Sequence, residues 1–297
     1  MDIGIFGFID TIEGFTTSLT TAAADGFASY WVPQAFGMDT LTVLAVAGPK
    51  APGIRIGTAV IPTYPRHPMV MAQQALTTNT VLEGRLSLGI GPSHKPVVEG
   101  SWGISFDRPI RHLKEYLLAL DESLGQKPRY RGETLSSFGD LGVGDAPRPK
   151  VLVSALGPQL LKLTGTLADG TITWMTGPNT LRDLTIPTIT AAADAAGRAT
   201  EVVAGFPVCV TDDVDATRDR ANRSFAMYGT LPSYRAMLDR EGYEGPGDIA
   251  ILGDADTVTA RILELADLGV TTFAASEFGS REQRAATRAT LKAIIAA

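Results

Sequence analysis

Gly53-Ile-Arg-Ile-Gly-Thr-Ala-Val-Ile-Pro-Thr-Tyr-Pro-Arg-His-Pro68 begins as an apolar run and ends in a proline-punctuated loop. Glu83-Gly-Arg-Leu-Ser-Leu-Gly-Ile-Gly-Pro-Ser-His94 repeats the plan. The residues between have a helical pattern. Two buried strands, at about 54–61 and 85–90, are therefore joined by a helix. Such a connection sets strands parallel and brings both their C-terminal ends to one edge, where α/β barrels and open α/β sheets hold ligands.

The same alternation continues along the chain. Strands are predicted at 2–8, 27–32, 54–61, 85–90, 150–155, 170–174, 202–210 and 270–276, and helices over Pro68–Leu82, Pro109–Leu124 and Asp254–Leu268. Eight repeats with short, continuously apolar strands predict a closed (β/α)8 TIM barrel rather than an open sheet, spanning 1–297 as a single domain. Pro68 and Pro109 suit first helical turns, Gly84 and Gly269 suit helix C-termini, and Asp254 suits an N-cap. Two stretches break the repeat. Residues 126–149 read as an excursion with a short hairpin, and 229–249 add a helix at Ser233–Arg240. Insertions of this kind often cover a barrel's ligand mouth.

Composition narrows the function. The chain is 44% hydrophobic and 20% charged, with a formal charge of −6 and no basic cluster, which disfavours nucleic-acid binding. No apolar run is long enough for a membrane span. Met1-Asp2-Ile3-Gly4 lacks the basic start of a secretory leader, so a cytoplasmic enzyme acting on a small molecule is expected. Cys209, the one cysteine, lies in an apolar run and is read as a buried, inert thiol. No metal-ligand spacing, nucleophile elbow, phosphate-binding Walker loop or dinucleotide fingerprint is present.

Four segments in order resemble the bacterial luciferase-like superfamily, and within it the coenzyme F420-dependent oxidoreductases. They are Ile56-Gly-Thr-Ala-Val-Ile-Pro with Arg66-His-Pro, Gly84-Arg-Leu-Ser-Leu-Gly-Ile-Gly, Val151-Leu-Val-Ser-Ala-Leu-Gly-Pro with Leu167-Ala-Asp-Gly, and Leu263-Glu-Leu-Ala-Asp-Leu-Gly-Val. The resemblance implies a barrel, usually a homodimer, with F420 or, alternatively, FMN at its C-terminal mouth. It implies a cofactor seat at Thr58, Ala59 and Val60, with a cis peptide between the last two. It also implies that the cofactor phosphate lies on the amides of Ala155, Leu156 and Gly157, where a glycine turn precedes a helix and leaves N–H groups free. Gly91 and Ser93 belong to the loop that aims His94 into the mouth, and His94 is the candidate cofactor contact or proton donor. Trp174 is read as either pocket wall or barrel packing. Trp31, Trp102 and Glu277 are candidate substrate contacts, and Phe106 is a candidate wall on the same side.

After the second strand, Gln34 and Ala35 stand where several relatives have an Asp-His pair containing the base. Glutamine can hydrogen-bond but is no useful base, so Gln34 is a catalytic candidate only for orientation. Hydride delivery to an acceptor, which needs a proton donor, fits better than oxidation. The alternatives are an FMN-dependent monooxygenase of the same superfamily and a non-catalytic cofactor-binding barrel. Arg66-His67-Pro68 is read as structural, and His112 and Glu115 as surface or packing residues of a helix.

Overall fold

The computed structural model describes residues 1–297. Eight parallel strands form the barrel: β1 (Asp2–Phe6), β2 (Ser29–Val32), β3 (Arg55–Thr58), β4 (Leu86–Gly91), β5 (Lys150–Val153), β6 (Gly170–Trp174), β7 (Glu201–Val210) and β8 (Thr272–Glu277). Each pairs with the next, and β8 pairs with β1, so the barrel closes, while the short strand Ile251–Gly253 adds to the end of β7. Every expected strand is present. The predicted β1 is too long: it stops at Phe6, and Phe8 is exposed. The predicted β3 is in fact interrupted. Pairing stops after Thr58 and resumes at Ile61–Pro62, which pair with Ile90 and Gly91 of β4. Ala59 and Val60 are left facing the mouth.

The helices follow the local signals. Pro68–Val81 and Pro109–Leu124 each start on proline, and Ala255–Leu268 is capped by Asp254, which accepts from Thr257 N–H at 2.8 Å. Gly269 ends that helix at φ 105°, in the left-handed region where a side chain is disfavoured. The first excursion contains an antiparallel hairpin, Arg129–Arg131 with Ser136–Phe138. The second, at 229–249, holds the expected helix as Pro232–Glu241 and a further short one, Pro246–Ile249, and is led into by Val214–Ser224 and Ala226–Thr230. No helix is long and apolar enough to cross a membrane.

The N-terminal end of the barrel is closed by a polar plug. Arg55 donates from Nε to Ser87 Oγ at 2.6 Å and grips Glu201 through its two terminal guanidinium nitrogens, at 3.1 and 2.5 Å. Its guanidinium lies over the Trp31 ring at 5.0 Å, and the indole donates to Ser29 Oγ at 2.8 Å. Trp31 is fully buried, and a Cβ on Gly57 would meet its ring at 2.2 Å. Trp31 is therefore core, correcting its reading as a substrate contact: its partners sit at the starts of the strands, away from the mouth.

Candidate functional site

The ends of β1, β3, β4, β5 and β6 surround a cleft of about 190 Å³. Phe6 and Trp174 stack at 4.4 Å and 22° to make one wall. Ala59 and Val60 make another, and the peptide between them is cis. His94 and Ser93 enter from the loop after β4, and Leu156 and Gly157 from the turn after β5. Gly91 is the neck between two of these loops. A Cβ there would meet Ser154 Oγ at 2.3 Å and Val60 Cγ2 at 3.0 Å, so a larger residue would have to displace both side chains.

The turn after β5 leaves a concentrated set of donors. The amides of Ala155, Leu156 and Gly157 make no hydrogen bond within the chain. The helix Pro158–Leu167 that follows has no side-chain cap. Unpaired N–H groups at the positive end of a helix form an anion seat. The buried indole N–H of Trp174 is likewise without a partner. A flat ring between the Ala59–Val60 bulge and the aromatic wall, with its phosphate on these amides, fits the residues present.

His94 is half-buried, and its ring lies 5.7 Å from that of Tyr234, tilted by 49°. Burial holds the imidazole below its ordinary pKa, favouring the neutral ring near pH 7. Tyr234 comes from the helix Pro232–Glu241 of the second insertion and lines the same cleft. Its ring packs edge-on against Tyr228 at 4.8 Å, and burial pushes its phenol well above the usual range.

Several expected site residues have other work. Thr58 is buried; its hydroxyl donates to Gly89 O at 2.7 Å and accepts from Gly89 N–H at 2.8 Å, clipping β3 to β4. Its side chain is spent there, which corrects its reading as a cofactor contact. Gln34 Oε1 accepts from Thr40 N–H at 3.1 Å, at the start of the helix Thr40–Ala47, and Gln34 does not line the cleft. Trp102 packs on exposed Phe36 at 6.3 Å, outside the cleft lining. Glu277 is held by the Arg288 guanidinium, with Nε to Oε1 at 2.6 Å, and faces the C-terminal helix. An ionised carboxylate so gripped is not free for a substrate. Ala155 is fully buried and does not line the cleft, which corrects its reading as a cofactor contact and leaves that role to the Leu156 and Gly157 amides.

The residues read as structural are so placed. Arg66 is paired with Asp39 and donates to Gln74 at 2.8 Å. His67 accepts from Met69 N–H at 3.3 Å and meets Ser136 O at 2.9 Å, tying a helix start to the hairpin. Glu115 accepts from the amides of Glu133 and Thr134 at 3.1 and 2.8 Å. His112 stacks on Tyr64 at 3.9 Å, and burial pushes it down to about 4. Cys209 is buried and its thiol is pushed up, away from reactivity. Phe6, Ser154 and Tyr234 line the cleft without having been singled out. Phe6 ends a strand and Ser154 lies inside a quoted motif, so position could have found both. Nothing in the sequence marks Tyr234.

Residues 9–272 match the model of the luciferase-like monooxygenase family. The chain belongs to that family. Among its relatives is a 5,10-methylenetetrahydromethanopterin reductase of Methanolobus tindarius, 27% identical over 302 residues, covering 89% of this chain and 90% of that one. A Mycobacterium tuberculosis protein with the provisional name coenzyme F420-dependent oxidoreductase is 30% identical over 75% of this chain and 68% of its own. The solved F420-dependent tetrahydromethanopterin reductase of Methanopyrus kandleri has the same fold, with a TM-score of 0.82 at 20% identity, covering 99% of this chain and 97% of that chain.

Proposed function

We propose that this luciferase-like protein is an F420-dependent oxidoreductase that exchanges hydride with an organic substrate and works as a reductase. The observation that carries this reading is the conjunction of an aromatic-walled slot with the unpaired amides of Leu156 and Gly157 at its rim. The names of the Methanolobus and Mycobacterium relatives support the choice of deazaflavin.

When bound, the deazaflavin supplies hydride exchange at one carbon of its ring. The chain's own residues bind and orient. Ala59 and Val60 would back the ring, Phe6 and Trp174 would keep water from one side, and the amides of Leu156 and Gly157 would hold the phosphate. His94 and Tyr234 face the remaining space with an imidazole and an uncharged phenol. Both can donate a hydrogen bond to an oxygen that gains charge on reduction. Gln34 leaves the proposal because its acceptor oxygen caps a helix, and no carboxylate lines the cleft to serve with His94 as a base. That composition supports reduction over oxidation.

Titration of the purified protein with F420 and with FMN, followed by quenching of ligand fluorescence, tests the assignment. F420 is expected to bind at least about tenfold more tightly than FMN, a difference of about 1.4 kcal/mol. Preference for FMN would make the chain a flavin monooxygenase instead, and failure of both ligands would overturn the cofactor reading. A cytoplasmic homodimer completes the proposal. Exposed Val46 and Val70, on the neighbouring helices Thr40–Ala47 and Pro68–Val81, support self-association, and a lone reduced cysteine suits a reducing compartment.

A further inference from the structure

A second space opens off the cleft. It measures about 560 Å³ and shares Pro92, Ser93, His94, Leu160 and Ser233 with it, so the two communicate beneath the second insertion. Its other walls are apolar, chiefly Phe106, Pro109, Ile110, Leu231 and Pro232. The titratable groups lining the two spaces are few. His94 is held towards its neutral form, the Tyr234 phenol is uncharged, and Lys95 is paired with Glu99 at 3.8 Å on an exposed helix. No arginine lines either space.

We infer that the outer chamber is the seat of the second substrate, and that this substrate is an uncharged, largely apolar organic molecule with a carbonyl-type acceptor at its reacting end. This assignment rests on the inner cleft being the cofactor's seat. A sugar phosphate or carboxylate entering here would lose hydration and find one cation, the rim Lys95 already facing Glu99, and buried charge must be paired or it is expelled. The anionic tail of the cofactor faces the same obstacle, whereas the unpaired amides after β5 offer it an anion seat elsewhere. An apolar body gains by leaving water for walls of proline, leucine and phenylalanine. Its one polar atom would meet the His94 imidazole, which lines both spaces, or the Tyr234 hydroxyl just inside the inner cleft.

Calorimetry with two probes tests this: carvone, an uncharged cyclic ketone, and glucose 6-phosphate, an anion. Each is titrated into the full chain with and without saturating F420. Carvone is expected to bind in both states, and glucose 6-phosphate in neither. Leu231→Asp and Ile110→Asp each place a carboxylate in the chamber at a helix start, where aspartate is tolerated. Both should weaken carvone at least about tenfold while F420 affinity stays within about twofold. Equal or tighter binding of glucose 6-phosphate, carvone binding unchanged in both variants, or competition between F420 and carvone would each overturn the inference. Loss of F420 binding by the unaltered chain would instead sink the cofactor reading, and the carvone arm without F420 would still judge the chamber.

Discussion

His94 shows how much of a residue's chemistry its surroundings set. The sequence places an imidazole one residue beyond a Gly-Pro-Ser turn. Burial then lowers its affinity for a proton below the ordinary value of 6.5, so near neutral pH it is mainly an uncharged hydrogen-bonding group. The sign of any pH effect follows. If the charged ring donates the proton, its contribution appears only as pH falls below 6.5. His94→Ala should lower turnover or F420 affinity more than about tenfold, equivalent to about 1.4 kcal/mol. Steady-state profiles of both proteins would check this, and any limb lost in the variant should lie on the acid side of 6.5. A lost limb above pH 7 would contradict it. Thr58, Gln34, Trp31 and Glu277 were legible as polar or aromatic groups near strand ends. What could not be read was that each already has a partner: Gly89, Thr40, Ser29 and Arg288. Gly89 and Arg288 lie on other elements, while Ser29 and Thr40 are near in sequence and become partners only through the folded strand and loop geometry.

At the scale of elements, the second insertion completes the cleft, and one carboxylate secures it. Glu241 ends the helix Pro232–Glu241 and accepts from Asn179 N–H at 3.1 Å and from Thr180 N–H and hydroxyl at 2.6 and 2.5 Å. It thereby caps the turn after β6 while pinning the helix that carries Tyr234. Gly177 is required beside it, since a Cβ there would meet the Glu241 carboxyl at 2.3 Å. Glu241→Gln keeps the shape but replaces one acceptor oxygen with a donor that faces donors. We expect a stability loss of about 1–3 kcal/mol and faster hydrogen exchange across residues 226–241. Exchange confined to other regions would contradict the pinning role. The existence of this insertion was evident from its glycine- and proline-rich composition, as was the hairpin between 126 and 149. Where each packs depends on contacts between residues far apart in the chain, which no local pattern encodes.

For the whole molecule, the barrel separates stability from function by end. The Arg55–Glu201 pair sits where the strands begin, its side chains 23% and 13% exposed, with Lys150 adding a contact to Glu201 at 3.4 Å. The cleft lies at the opposite rim. Arg55→Met would leave the Glu201 carboxylate largely buried with one exposed lysine as partner. A loss of about 2–4 kcal/mol in urea unfolding is expected, with F420 affinity unchanged. Coupled loss of both would mean that the plug shapes the mouth.

The sequence by itself determined the order of the strands and helices, the closed α/β architecture, and the loops that meet at one rim. Those properties follow from hydrophobic runs, proline and glycine punctuation and parallel connection, all local along the chain. The tertiary structure alone decided which donors are already spent, which amides stay unpaired, and which inserted helix roofs the cleft. These depend on register and long-range packing. A hydroxyl or carboxylate is available to a ligand only when nothing across the barrel has taken it first.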